Sequence, residues 1–208
     1  MTYIIAVTGS IGSGKTTITN LFKKFNIPII DADILAKELI NFNKNISNSI
    51  INYFGKRVKK INNIIDRNAL KYIIFNDNNE RIWLNNLLHP IIIKRINVIL
   101  HNIINSYVIL VIPLLIECNL HYYVHNITVI NTRYENKVKR ILNREDINYQ
   151  QINNILNTQI KTKIKLSYAD IIIDNNSSID DNDIVVLHQY YLLLATNAYI
   201  KNNFNIFI

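Results

Sequence analysis

Residues 3–7 form an unbroken apolar run, the pattern of a strand covered on both faces, and the polar, Gly/Ser-rich stretch from Thr8 to Thr17 ends it. Beyond it Ile18, Leu21, Phe22 and Phe25 recur at three- and four-residue intervals and predict a helix. Pro28-Ile29-Ile30 then predicts a second buried strand, ending at Asp31-Ala32-Asp33. Strand, glycine loop, helix and strand make a βαβ opening. From about 33 to 105 the apolar period is helical throughout, with Ser47 and Asp66 placed as N-caps and Gly55 as a stop. Trp83, Leu84, Leu87 and Leu88 line one face of a helix, as core residues do. Pro90 is placed where a new helix can start, which sets His89 at a helix junction.

The strand pattern returns at Tyr107–Ile112 and 127–130, with Pro113 to Glu117 reading as a turn and short helix between them. Residues 134–166 are helical again but polar. They carry Lys137, Lys139, Arg140, Arg144, Lys161, Lys163 and Lys165, the signature of a protruding basic helical hairpin. A last strand is expected over 169–174 and an apolar helix, docked on the sheet, over 184–200. The expected organisation is an α/β core of residues 1–32, 106–134 and 168–208, interrupted by a helical insertion at 33–105 and a helical hairpin at 135–167.

Composition modifies this picture little. Apolar residues make up 49% of the 208 positions, so the Asn-rich stretches belong to the surface of a globular protein and not to disorder. The net charge of +8 favours a polyanionic partner, and the absence of any run of five or six basic residues argues for a phosphate-rich small molecule over nucleic acid. One cysteine, Cys118, excludes an intrachain disulfide and a multi-cysteine zinc site, and reads as a small buried apolar residue. No stretch offers the roughly 20 clean apolar residues of a membrane helix. The N-terminus enters a strand without a basic region or cleavage site, which predicts no secretory signal and a cytoplasmic place of work.

Chemistry enters at Gly9-Ser10-Ile11-Gly12-Ser13-Gly14-Lys15-Thr16, which satisfies G-x-x-x-x-G-K-[ST] between a strand and a helix. In that context the backbone N–H groups of a P-loop wrap a polyphosphate, Lys15 reaches the β- and γ-phosphates, and Thr16 offers its hydroxyl to Mg²⁺. Gly12, Ser13, Gly14 and Thr17 line the wrap. A guanine-nucleotide switch is excluded: Pro113 stands where a Walker B aspartate is expected, and no Asn-Lys-x-Asp signature follows. At the end of the second strand one carboxylate of Asp31 and Asp33 can face the γ-phosphate as a base, and either can instead cap the next helix.

The segments TGSIGSGKTT, DADILA, WLNNLLHPII, IPLLIE, KRILNRED, Gln159 and ADIIIDN, in this order and spacing, resemble the dephospho-coenzyme A kinase family over nearly the whole chain. The resemblance implies a kinase-type P-loop fold with a parallel five-stranded sheet flanked by helices, a helical substrate-binding domain at 33–105 and a helical lid at 135–167. It implies transfer of the γ-phosphoryl of ATP to the 3′-hydroxyl of dephospho-coenzyme A, with Mg²⁺. Carried over residue by residue, Asp33 is the general base, with Lys15 and Arg140 as further catalytic groups. Gly9, Ser10, Gly12, Ser13, Gly14, Lys15, Thr16, Thr17, Arg144 and Asn175 belong to the nucleotide, and Thr8, Asp33, His89, Pro113 and Leu115 to the acceptor. Without the resemblance, His89 reads equally as a buried helix-end histidine, and Arg140 and Arg144 as one solvated helix face. The chain departs from the family at Val111, where many members carry Asp, and after Asn175, where a glycine is usual.

Overall fold

The computed structural model describes residues 2–60, 64–144, 148–177 and 179–204. Strand β1 (Tyr3–Thr8) pairs in parallel with β3 (Tyr107–Val111) on one side and β4 (Asn126–Asn131) on the other. Strands β2 (Ile29–Asp31) and β5 (Ile171–Asp174) complete a five-stranded parallel sheet of order β2-β3-β1-β4-β5. Alternation along the strands sorts the apolar side chains into two layers. Ile5, Val7, Ile109, Val111 and Ile130 pack with Ile18 of α1 (Lys15–Leu21) and with Ile184, Tyr191 and Ala195 of α9 (Asp181–Phe204). Ala6, Val108, Leu110, Ile127 and Val129 face the opposite way, into the helical insertion.

That insertion is α2 (Ala32–Phe42), α3 (Lys44–Phe54), α4 (Arg67–Asn76) and α5 (Asn78–His101). Each is started by a side-chain oxygen, of Asp31, Asn43, Asp66 and Asp77 respectively, that accepts two hydrogen bonds from backbone N–H groups of the first turn. Asp66 therefore caps as expected, and Gly55, at φ 63°, ends α3. Ser47 does not cap. Asn43 reaches the Asn45 and Ile46 N–H groups first, leaving Ser47 within α3 with its hydroxyl donating to the Ile40 and Asn43 carbonyls at 2.7 and 3.0 Å.

The helix junction expected at His89-Pro90 is also corrected, because α5 runs through Pro90 without ending. Leu84, Leu88, Ile92 and Ile96 keep a four-residue stripe in the core on both sides of it, while Pro90 lies on the exposed face. There solvent satisfies the carbonyl deprived of its partner, and burial of the stripe outweighs the proline penalty. Residues 113–119 form turns, without the short helix expected, since Asn119 at φ 55° reverses the chain and Leu120 N–H bonds the Leu115 carbonyl. The expected strand at 169–174 begins only at Ile171.

The basic segment is α6 (Tyr134–Arg144), α7 (Tyr149–Asn157) and α8 (Thr162–Ser167), whose Val138, Ile141 and Ile152 enclose a small core against Ile11. It is not a uniformly solvated charge surface. Lys137 and Lys165 are only 6% and 1% exposed. Glu145 and Asp146 of the KRILNRED motif lie outside the described residues. Among those described, no helix is long and apolar enough to cross a membrane.

Candidate active site

The loop between β1 and α1 is shaped by close approach. Gly14 sits at φ 90°, and a Cβ there would collide with the Asn175 side-chain amide; Gly9, at φ 151°, would place one 2.7 Å from the Ile130 carbonyl. The Ser13 carbonyl accepts from Thr132 Oγ1 at 3.0 Å, Arg140 Nη1 at 3.2 Å and Asn175 Nδ2 at 2.7 Å. A trans peptide is planar, so drawing this oxygen outward turns the attached Gly14 N–H toward the inside of the loop, as phosphate binding requires. Ser13 itself is fully buried, and its hydroxyl has no hydrogen-bond partner in the protein. That orphaned polar group at the loop is of the kind a phosphate oxygen satisfies.

Lys15 folds over the loop, donating to the Gly9 and Ser10 carbonyls at 2.8 and 3.1 Å. Its ammonium is pushed down to about 8, chiefly by burial and further by Lys165 and Arg144, against the pull of Asp33 and Asp31. Thr16 and Thr17 lie exposed at the start of α1. Thr8, at the end of β1, donates its hydroxyl to the Pro113 carbonyl at 3.3 Å.

Across the cleft the two aspartates divide their work. Asp31 is the cap of α2, its Oδ1 accepting from Asp33 N at 2.9 Å and Ile34 N at 3.3 Å. Asp33 is thereby free of capping. Its side chain opens to solvent, yet the surrounding walls withhold enough bulk water to raise its carboxyl above the usual range. Asp31 adds to the rise, while Lys15, Lys37 and Arg144 oppose it. Lys15, Asp33 and Arg144 therefore sense one another in one cleft.

Other residues named from the sequence fall less simply. Arg140 is half-buried and bonds the Gly12, Ser13 and Asn175 carbonyls, so it is not part of a solvated face. Asn175 is 6% exposed and supports the P-loop from beneath. His89 is half-buried, with Nε2 3.9 Å from Cys118 Sγ, and burial lowers its affinity for a proton. Its ring faces the loop after β3. Cys118 is only partly buried. Leu115, placed with the acceptor, has no exposed surface: its side chain is core, and it anchors the turns at 113–119. Val111 is core as well, so no carboxylate at the end of β3 reaches this cleft.

Sequence reasoning missed Thr132 as a support of the P-loop and the burial of Lys137 and Lys165, and gave Glu117 and Gln159 no role. Ile11 N–H donates to Gln159 Oε1 at 3.1 Å, and Lys165 bonds both the Pro113 carbonyl and Glu117. No signal distinguishes Lys137 or Lys165 from the solvated lysines that flank them in the chain.

A lysine-bearing phosphate loop after the central strand of a sheet in this order, closed over by basic helices and faced by an uncommitted aspartate, is machinery for moving a phosphoryl group, and the chain is a P-loop kinase. Residues 3–181 match the family model described as dephospho-CoA kinase. A dephospho-CoA kinase of Shewanella oneidensis is 39% identical over 197 residues, 94% of this chain and 96% of that protein. Among solved structures, a Thermus thermophilus protein superposes with a TM-score of 0.78 at 25% identity, over 91% of this chain and 96% of that one. The dephospho-CoA kinase of Campylobacter jejuni gives 0.58 at 25% identity over the full length of both. The chain belongs to the dephospho-CoA kinase family.

Proposed function

We propose that this kinase transfers the γ-phosphoryl of ATP to the 3′-hydroxyl of the ribose of dephospho-CoA, giving CoA and ADP. The observation that carries the reading is Lys15, bonded into the phosphate loop, within electrostatic reach of Asp33, a carboxylate not used in capping: one group for the phosphoryl and one for the attacking hydroxyl. Asp33 accepts the hydroxyl proton as the oxygen attacks in line, and Lys15 holds the charge that develops on the β- and γ-oxygens. The Gly9–Thr17 backbone cradles the phosphates. Arg140 keeps that cradle open, and Arg144 closes over it from α6.

Residues 33–105 hold the acceptor, with His89 and Pro113 at its edge, and 135–167 act as a lid that excludes water from the transfer. The residues present also fit Mg²⁺. Thr16 lies exposed at the start of α1, and among the described residues no three acidic, histidine or cysteine side chains gather, which suits an ion shared with phosphate and water. Bound there, the ion would neutralise charge between the β- and γ-phosphates. The substrates are small molecules and not nucleic acid, and the place of reaction is the cytoplasm, as the single half-buried thiol suits.

ADP release measured in parallel with dephospho-CoA, adenosine and AMP tests the reading. Turnover is expected with dephospho-CoA far above the other two. Comparable rates with all three would point to a less selective small-molecule kinase, and salt-sensitive oligonucleotide binding without turnover to a nucleic-acid role.

A further inference from the structure

Lys165 is the most deeply buried charged side chain among the described residues, at 1% exposure, and it belongs to none of the loops that touch phosphate. Its ammonium donates to the Pro113 carbonyl at 3.0 Å and pairs with Glu117 Oε1 at 3.0 Å. The same carboxylate oxygen accepts from Ile160 N at 3.3 Å, and the same Pro113 carbonyl accepts from Thr8 Oγ1 at 3.3 Å. Six residues before Lys165, Gln159 holds the Ile11 N–H of the P-loop. The segment 159–165 is thus tied at one end to the phosphate loop and at the other to the loop after β3. The end of β1 is joined to the same carbonyl.

Burying an ammonium often costs more than its ion pair returns, unless further hydrogen bonds satisfy every proton and lone pair of both partners. Glu117 makes this plain, because its second oxygen, Oε2, is buried with no hydrogen-bond partner. An apolar pair in place of both partners would fill the space at less cost. What it would not do is fix the Pro113 carbonyl.

We propose that Lys165 is a positioning residue for phosphoryl transfer: from the return limb of the lid it holds the loop after β3, and with it the acceptor side of the cleft, in register with the P-loop, with Glu117 as its anchor. The proposal rests on the phosphoryl-transfer reading above. Lys165 also presses electrostatically on Lys15, together with Arg144 and against Asp33 and Asp31, while Lys137 on α6 is the other cation that senses Lys165. Loss of its charge therefore leaves a second trace, in the titration of Lys15.

Lys165→Met, Lys165→Arg and Glu117→Gln are each assayed for melting temperature, for kcat and KM with each substrate, for ATP hydrolysis without acceptor, and for the pH dependence of kcat/KM for ATP. Lys165→Met leaves the Glu117 carboxylate buried without its cation and is expected to lower the melting temperature while staying folded at the assay temperature. It should transfer about 10- to 100-fold more slowly, the scale expected for a misplaced acceptor, with hydrolysis of ATP in the absence of acceptor largely kept. Its alkaline limb should move to higher pH. Lys165→Arg should recover most of the transfer rate, and Glu117→Gln should show a milder version of the Met defect. A transfer rate in Lys165→Met equal to that of the unsubstituted protein overturns the proposal. So does a loss that follows melting temperature alone across the three variants. Should Lys165→Met not fold, Glu117→Gln and Lys165→Arg decide by the same criteria. Failure of the unsubstituted protein to phosphorylate dephospho-CoA would instead overturn the underlying reading, and the proposal with it.

Discussion

The side-chain amide of Asn175 donates to the main-chain carbonyl of Ser13 at 2.7 Å, fully buried, joining the residue after β5 to the crest of the P-loop. Two other donors, Thr132 and Arg140, converge on the same oxygen. Asn175→Ala is expected to cost about 1 kcal/mol, the net worth of one buried hydrogen bond. Asn175→Asp should cost more, because it turns a carboxylate oxygen against a carbonyl. Both should raise KM for ATP before they lower kcat, Asp more than Ala. Urea unfolding and steady-state kinetics check the order.

Asp33→Asn keeps shape and hydrogen bonding but removes the proton acceptor, and capping of α2 remains with Asp31. A fall in kcat of roughly 10² to 10⁴ is expected, with acceptor binding mostly preserved. The defect should persist at saturating Mg²⁺, and restoration by excess metal would make Asp33 a metal-site residue instead. Because burial raises the Asp33 carboxyl, the acid limb of the rate profile should lie above that of an ordinary aspartate and vanish in the variant.

Lys15 must be charged to hold phosphate, and its folded-state value of about 8 predicts that kcat/KM for ATP falls as pH rises through that region. Stability should move the other way. A lysine whose affinity for protons is lowered by folding binds more protons in the unfolded chain between about 8 and its ordinary value of 10.5, so its contribution to stability rises over that window. Lys15→Ala should lose turnover by more than about 100-fold while circular dichroism stays that of the folded protein, and its stability should lack this rise. Chemical denaturation at pH 7.5 and 10, compared between the two proteins, checks the sign.

Arg140 and Arg144 should part company. Arg140→Gln removes bonds to the Gly12, Ser13 and Asn175 carbonyls and is expected to lower both melting temperature and ATP affinity. Arg144, exposed on α6, should leave melting temperature nearly unchanged on substitution by Gln. Its loss should weaken closure and raise the ATP consumed per CoA formed. Measuring both products in one reaction gives that ratio.

Much of this molecule was legible along the chain because its signals are local. A continuous apolar run makes a strand buried on both faces, a glycine-rich loop before a helix makes a phosphate cradle, and a hydrophobic stripe of helical period makes the insertion. The strands, the P-loop, Asp66 as a cap and Gly55 as a stop follow from neighbours a few residues apart. Where two local candidates competed, packing decided. Asn43 and not Ser47 begins α3, Asp31 takes the cap so that Asp33 is left free of capping, and α5 passes Pro90 because its buried stripe extends to both sides. The burial of Lys165 against Glu117 and Pro113, the three donors on Ser13, and the retreat of Leu115 into the core depend on contacts between residues from about 48 to 162 positions apart. No periodicity records such contacts. A lysine on a short polar helix reads as solvated until the sheet, the loop after β3 and the helix α8 are brought together around it.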